Sequence, residues 1–218
     1  MSESLRQRII TGVILAATLL AVVLWAPPWA TVVLITGYVL LGAWEWSAFL
    51  RPVALSERFA YVVLVALLLL FVWGVSETHT GRALVLTAAG VWWVCALAWI
   101  VLAPQQVRPW SAGLAGLLAL VPAWLALVRL RIDPPHGAQW VLFALILVWV
   151  ADIGAYFAGR RFGQHRLAPH VSPGKTWEGV IGGAAVSMIV AIAGSLWFHV
   201  ALPFPAAVPG GGRVLGGG

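Results

Sequence analysis

Residues 9–44 read IITGVILAATLLAVVLWAPPWATVVLITGYVLLGAW, and no charged side chain occurs between Arg8 and Glu45. About 20 apolar residues in a helix cross the ~30 Å hydrocarbon core of a bilayer, so this stretch holds two crossings. Pro27 and Pro28 divide it, because a proline pair suits a turn or a helix start better than a helix interior. Extended along the chain, the same reading places spans at 9–26, 29–50, 59–75, 83–103, 111–128, 138–158 and 179–201. The expected fold is an all-α, polytopic transmembrane helix bundle of about seven spans. The first apolar segment lacks a clean small-residue cleavage site before Pro27, which argues against a removed signal peptide. No repeat of fixed period is visible.

Composition points the same way. Of the 218 residues, 62% are hydrophobic and 9% charged, too little polar surface to cover a soluble globule and too much apolar surface for a disordered chain. The 14 Trp suit bilayer interfaces. Cys95, the single cysteine, cannot form an intramolecular disulfide. The net charge is +6, and twelve of the thirteen basic residues are Arg. In a membrane protein that surplus belongs in cytoplasmic loops facing anionic head groups, so nucleic acid is not an expected partner. With the N-terminus inside, nine basic residues fall in inner segments and four outside, namely Arg82, Arg129, Arg131 and Arg213. This bias predicts a cytoplasmic N-terminus, with the Arg129/Arg131 pair, beside Asp133, as its one local conflict.

The chain divides into N-terminal transmembrane helices over 1–137, a membrane-embedded motif region over 138–202 with a cytoplasmic loop at 159–178, and a Pro/Gly-rich tail over 203–218. Six glycines in the last nine residues cannot hold a packed element, so the tail reads as flexible or as a chain that stops early.

Few ionisable residues lie in the spans. Asp152 stands about six residues, or ~9 Å, inside the expected end of its span, where a carboxylate is costly unless it faces protein, water or a cation. The alternative is a structural polar contact. Tyr156, four residues on, shares its helix face, and Gly154 and Ala158 have the small-residue spacing of a close helix contact. The loop 159–178 holds Arg160, Arg161, Arg166 and Lys175, the only lysine. Plain topology explains the Arg160/Arg161 pair. Lysine, a compact point charge, suits a phosphate oxygen. Ser172-Pro173-Gly174-Lys175-Thr176 reads as a helix start with Ser172 as N-cap and Pro173 at the first position, an arrangement that would aim the Gly174 and Lys175 amides at a phosphate. It is not a P-loop, because Pro169 stands where the first glycine belongs and no strand precedes it. His165 and His170 lack a third metal ligand and read as solvated loop side chains. His79, His136 and His199 form no pattern. Glu178 suits the dipole of the next helix, whose Gly179, Gly182 and Gly183 permit tight packing. Glu45, between Trp44 and Trp46, can snorkel to the surface.

The run Trp149-Val-Ala-Asp152-Ile-Gly-Ala-Tyr156-Phe-Ala-Gly159-Arg160, followed by Phe162-Gly163, Leu167-Ala-Pro169, Ser172-Pro-Gly-Lys175-Thr-Trp-Glu-Gly179 and Gly182-Gly183, resembles the phosphatidate cytidylyltransferase (CDP-diacylglycerol synthase) family. Glu45-Trp46 and Leu130-Arg131 are weaker similarities of the same kind. The resemblance implies a multi-pass enzyme of the bacterial inner membrane that joins CTP to phosphatidic acid, giving CDP-diacylglycerol and pyrophosphate with Mg2+ as cofactor. Asp152, Ser172, Lys175, Thr176 and Glu178 fall on motif positions. Combined with the residue reading, it implies Asp152 and Lys175 as catalytic, Asp152 as the metal ligand, and Ser172, Gly174, Thr176, Glu178, Arg160 and Arg161 as substrate-binding. The family's C-terminal acidic signature is not found after Gly183, and no acid follows Glu178. A truncated, inactive fragment of the enzyme is therefore the second reading and a membrane transporter subunit the third, with a homo-oligomer left open.

Overall fold

The computed structural model describes residues 3–50, 54–102, 108–168 and 172–197. Seven helices account for nearly all of them: α1 (Glu3–Trp25), α2 (Pro28–Trp46, continued by a 3-10 turn at Ser47–Leu50), α3 (Leu55–Val75), α4 (His79–Leu102), α5 (Pro109–Ile132), α6 (Gly137–Phe162) and α7 (Trp177–Trp197). Between α6 and α7 lies a two-stranded antiparallel ribbon, β1 (Arg166–Ala168) and β2 (Ser172–Thr176). Six helices, α2 to α7, are long and apolar enough to cross a membrane, and the apolar part of α1, Ile10–Trp25, is shorter. The protein is a multi-pass helical membrane protein. Pro28 and Pro109 occupy the first turns of α2 and α5, where the missing amide costs nothing. Pro122 lies inside α5, a position tolerated when neighbouring helices compensate the lost backbone bond. The helices run past the apolar segments at their polar ends. In particular α6 continues to Phe162 rather than ending near 158, and this puts Arg160 and Arg161 on the helix instead of in a loop.

The core sits where α2, α3 and α5 meet. Ile35 and Ala43 of α2 pack with Val65, Leu69 and Val72 of α3 and Val121, Leu125 and Val128 of α5. Large apolar side chains such as Leu67, Leu70 and Phe71 instead face outward, as lipid allows. Because lipid tails are as apolar as leucine, burial alone does not pair such helices; close packing and interhelical hydrogen bonds do. At one end, the Trp46 indole N–H donates to the Ala112 carbonyl (2.8 Å) and the Tyr61 hydroxyl to the Gly113 carbonyl (2.9 Å). Midway, the Trp124 indole donates to Thr36 Oγ1 (2.8 Å).

The opposite end explains the Arg129/Arg131 conflict. Arg129 is buried, donates to Ser76 Oγ (2.8 Å) and Glu77 Oε1 (2.9 Å), and stacks on the Trp73 ring. Asp133 pairs with Arg82 and lies 3.6 Å from Arg129. Arg131 donates to the Ala26 carbonyl at the end of α1 (3.2 Å), where a cation meets the negative end of the helix dipole. These arginines are therefore committed to protein partners.

α6 and α7 form the tightest pair. A Cβ added to Gly183 would lie 2.7 Å from the Ala151 carbonyl, and one on Gly154 would lie 3.0 Å from the Gly182 carbonyl. A Cβ on Gly182 would overlap the methyl of Ala158. The small residues read from the sequence as contact positions are thus the contact, and they fix the antiparallel register of the two helices.

Candidate functional site

An open cleft of about 580 Å³ lies between the end of α6 and strand β2. Asp152, Ala155, Tyr156, Gly159 and Arg160 line one wall. Their spacing of three and four residues is one face of a helix. Ser172, Gly174, Lys175 and Thr176 line the other wall. Asp152 is exposed to the cleft, about ten residues, or ~15 Å, from the end of α6. The distance exceeds the ~9 Å expected for a span ending near 158 because the helix runs on past its apolar segment. Arg160 donates from Nη1 to the Tyr156 hydroxyl (2.8 Å), which holds the guanidinium along the wall. With Arg160 and Lys175 against Asp152, the cleft carries a net positive charge, suited to an anionic ligand.

The helix start expected at Ser172-Pro173 is overturned. Residues 172–176 form β2, paired with β1 in a register that sets Arg166 opposite Thr176 and Ala168 opposite Ser172. α7 begins at Trp177, and its cap is Thr176, whose Oγ1 accepts the Gly179 N–H (3.2 Å). The cause is tertiary: residues 166–168 offer a strand partner, and an extended segment with a partner outcompetes an isolated helical turn. The Gly174 and Lys175 amides therefore belong to a strand rather than to a helix N-terminus. A Cβ on Gly159 would come within 3.1 Å of Thr176 Oγ1, and one on Gly179 within 3.2 Å of it. Glycine at both places lets the end of β2 seat against the two helices.

Of the eight residues expected at the site, Asp152, Arg160, Ser172, Gly174, Lys175 and Thr176 come together around the cleft. Arg161 is exposed at the end of α6 and does not line it. Glu178 also stands outside the lining; its carboxylate accepts from His165 Nδ1 (2.6 Å) and from the His165 backbone N–H (3.2 and 3.3 Å). His165, expected to be merely solvated, is thus engaged, although its ring remains largely exposed. Only the ribbon brings residues 165 and 178 together, and nothing in their spacing signals it. His170 and the tail 203–218 lie outside the described residues. Glu45 is exposed at the end of α2. Among the described residues, no group of three or more His, Cys, Asp or Glu side chains is placed to hold a metal ion.

Fold and site together define a multi-pass membrane protein with a cationic, carboxylate-bearing cleft at one end of its bundle. The chain belongs to the cytidylyltransferase family, whose family model matches residues 6–214. It is 35% identical over 206 residues to the phosphatidate cytidylyltransferase of Haemophilus influenzae, covering 86% of this chain and 71% of that one. It is 39% identical over 186 residues to the phosphatidate cytidylyltransferase of Pseudomonas aeruginosa, covering 83% and 67%. The Brucella suis protein of the same name is 34% identical over 205 residues, covering 89% and 67%. No solved structure matches the chain.

Proposed function

We propose that this protein condenses CTP with phosphatidic acid in the bacterial inner membrane, forming CDP-diacylglycerol and pyrophosphate for phospholipid biosynthesis. One observation carries the reading beyond family membership: the cationic cleft between α6 and β2, with Asp152 exposed in it. A lipid phosphate at head-group depth and a nucleotide from the cytoplasm are both anionic, so their meeting needs cations. In the reaction a phosphatidate oxygen attacks the α-phosphorus of CTP and the bond to the β-phosphate breaks, with pyrophosphate leaving. Lys175 and Arg160 would hold phosphate oxygens. Ser172 and Thr176 offer hydroxyl donors on the same wall, and Gly174, with open space at its Cβ position, lets a ligand approach the strand backbone. Most of the catalytic effect would come from positioning and charge stabilisation.

Magnesium is commonly bound through one or two carboxylates, with waters and substrate phosphates completing its shell. A single exposed Asp152 fits that donor set. When bound, the ion would neutralise phosphate charge and assist departure of pyrophosphate. The N-terminus and the cleft are placed on the cytoplasmic side, following the bias of basic residues.

The experiment is conversion of labelled CTP and phosphatidic acid to CDP-diacylglycerol by the purified protein in detergent with magnesium. Product that requires both substrates supports the reading. A protein that is folded and binds CTP yet forms no product overturns it.

A further inference from the structure

We propose that His165 and Glu178 form a clamp that sets the position of strand β2, so that both act as positioning residues rather than as ligands of the substrate. The kinetic part of this inference rests on the cytidylyltransfer reading above; the structural part does not.

The need for a clamp follows from the ribbon itself. β1 has three residues and β2 has five, joined in a two-stranded sheet. A two-stranded ribbon is marginally stable in water by itself. Pro173, Gly174 and Lys175 in the middle of β2 are exposed, so little burial holds the strand that carries the cleft's second wall. Thr176 anchors its far end through the α7 cap.

The contacts that close the ribbon converge on His165. Its carbonyl accepts the Trp177 N–H (2.9 Å), which extends the ladder one step past the Arg166–Thr176 pair. Its own N–H points between the two oxygens of Glu178, at 3.2 and 3.3 Å. Its ring Nδ1–H donates to Oε1 at 2.6 Å. One carboxylate thus ties the chain leaving α6 to the first turn of α7. Hydrogen bonds to a charged acceptor are shorter and stronger than those to a neutral one, and a carboxylate in a first helical turn is favoured by the dipole as well.

The same geometry argues against Glu178 as a substrate or metal ligand. Both of its oxygens already accept hydrogen bonds from His165, and neither His165 nor Glu178 lines the cleft. A neutral acceptor at 178 would still accept from His165, whereas it would hold a divalent cation more weakly than a carboxylate.

The test uses the full chain in detergent micelles with five variants: Glu178→Ala, Glu178→Gln, His165→Ala, His165→Asn and the double alanine. Amide hydrogen exchange over residues 172–176 reads the strand, and steady-state KM and kcat for CTP read the site. The clamp predicts that each single alanine variant raises exchange in 172–176 and raises KM for CTP by about tenfold, with a smaller change in kcat. His165→Asn, which places an amide N–H where Nδ1 stands, and Glu178→Gln recover most of the wild-type KM. The double alanine variant is no worse than Glu178→Ala alone, because that single change already removes the contact the His165 ring makes to the carboxylate. A Glu178→Ala variant that abolishes turnover while His165→Ala leaves KM and exchange at wild-type values overturns the clamp, as do multiplicative losses in the double variant. If the wild-type protein forms no CDP-diacylglycerol, the reaction reading fails and the exchange data decide alone: unchanged protection of 172–176 in both alanine variants overturns the clamp, and deprotection in both supports it.

Discussion

Gly182 on α7 faces Ala158 on α6 so closely that a Cβ on Gly182 would overlap the Ala158 methyl. Steric complementarity of this kind, rather than hydrophobic burial, holds two helices together in lipid, and here it also sets the height at which the cleft-bearing end of α6 meets the start of α7. Gly182→Val should destabilise the protein by about 1–3 kcal/mol through overpacking. Gly182→Ala should be milder, and Ala158→Gly in the same chain should recover much of the loss, with a coupling energy of about 1 kcal/mol. Thermal melts in detergent check this; additive single and double effects would mean that the two positions do not share the contact.

Lys175→Ala should leave stability within about 0.5 kcal/mol, since its side chain is exposed. Turnover should fall about a hundredfold, the equivalent of ~3 kcal/mol of lost transition-state contact. Lys175→Arg should restore little, because a planar guanidinium does not replace a point charge. Initial rates with matched melting controls give the answer; near-normal turnover in Lys175→Ala would move the phosphate contact elsewhere.

The neighbours Arg160 and Arg161 should separate. Arg160 lines the cleft and bonds Tyr156, while Arg161 is exposed outside it. Arg160→Ala should cost tenfold or more in kcat/KM, roughly one charged hydrogen bond, and Arg161→Ala less than about twofold. Equal losses from both substitutions would contradict the assignment of walls.

Asp152→Asn keeps the shape of the side chain and removes its charge. The magnesium concentration for half-maximal rate should rise by at least about tenfold, as expected when one of few carboxylate ligands is lost. Titration of magnesium at saturating CTP measures it, and an unchanged midpoint would exclude Asp152 as the metal ligand.

At the other end of the bundle, Arg129→Met should cost about 3 kcal/mol of stability, because a buried cation leaves behind Ser76 and the carboxylates of Glu77 and Asp133. Glu77→Gln should cost under about 1 kcal/mol, as Glu77 is mostly exposed. Activity per folded molecule should be unchanged in both, since neither residue lines the cleft. A catalytic defect without a shift in melting would show that this network is coupled to the site.

The sequence carried the membrane fold because a crossing helix is a local property. Bilayer thickness demands a long apolar run, and the runs from Ile9 to Trp44 and from Phe59 to Val75 can be seen without knowing any neighbour. The close-packing faces of α6 and α7 were visible too, since Gly154, Ala158, Gly182 and Gly183 announce close approach by size alone, although only the structure shows that the two faces meet each other. Asp152 and Tyr156 fall on one face by helical spacing, so one wall of the cleft was legible as well.

The second wall was not. Ser172-Pro173-Gly174-Lys175-Thr176 carries every local mark of a helix start, and the tertiary structure makes it a strand because Arg166–Ala168 supplies a partner that no local pattern announces. The cap passes to Thr176 for the same reason. The arginines at 129 and 131 looked misplaced until the ends of α1 and α3 supplied their acceptors. What the chain alone determined were features set within one or two turns of helix: span positions, faces and small-residue stripes. What only the folded molecule decided were the contacts between segments far apart in sequence. Among them is the bond from His165 to Glu178, whose hydrogen-bond geometry exists only once the ribbon has closed.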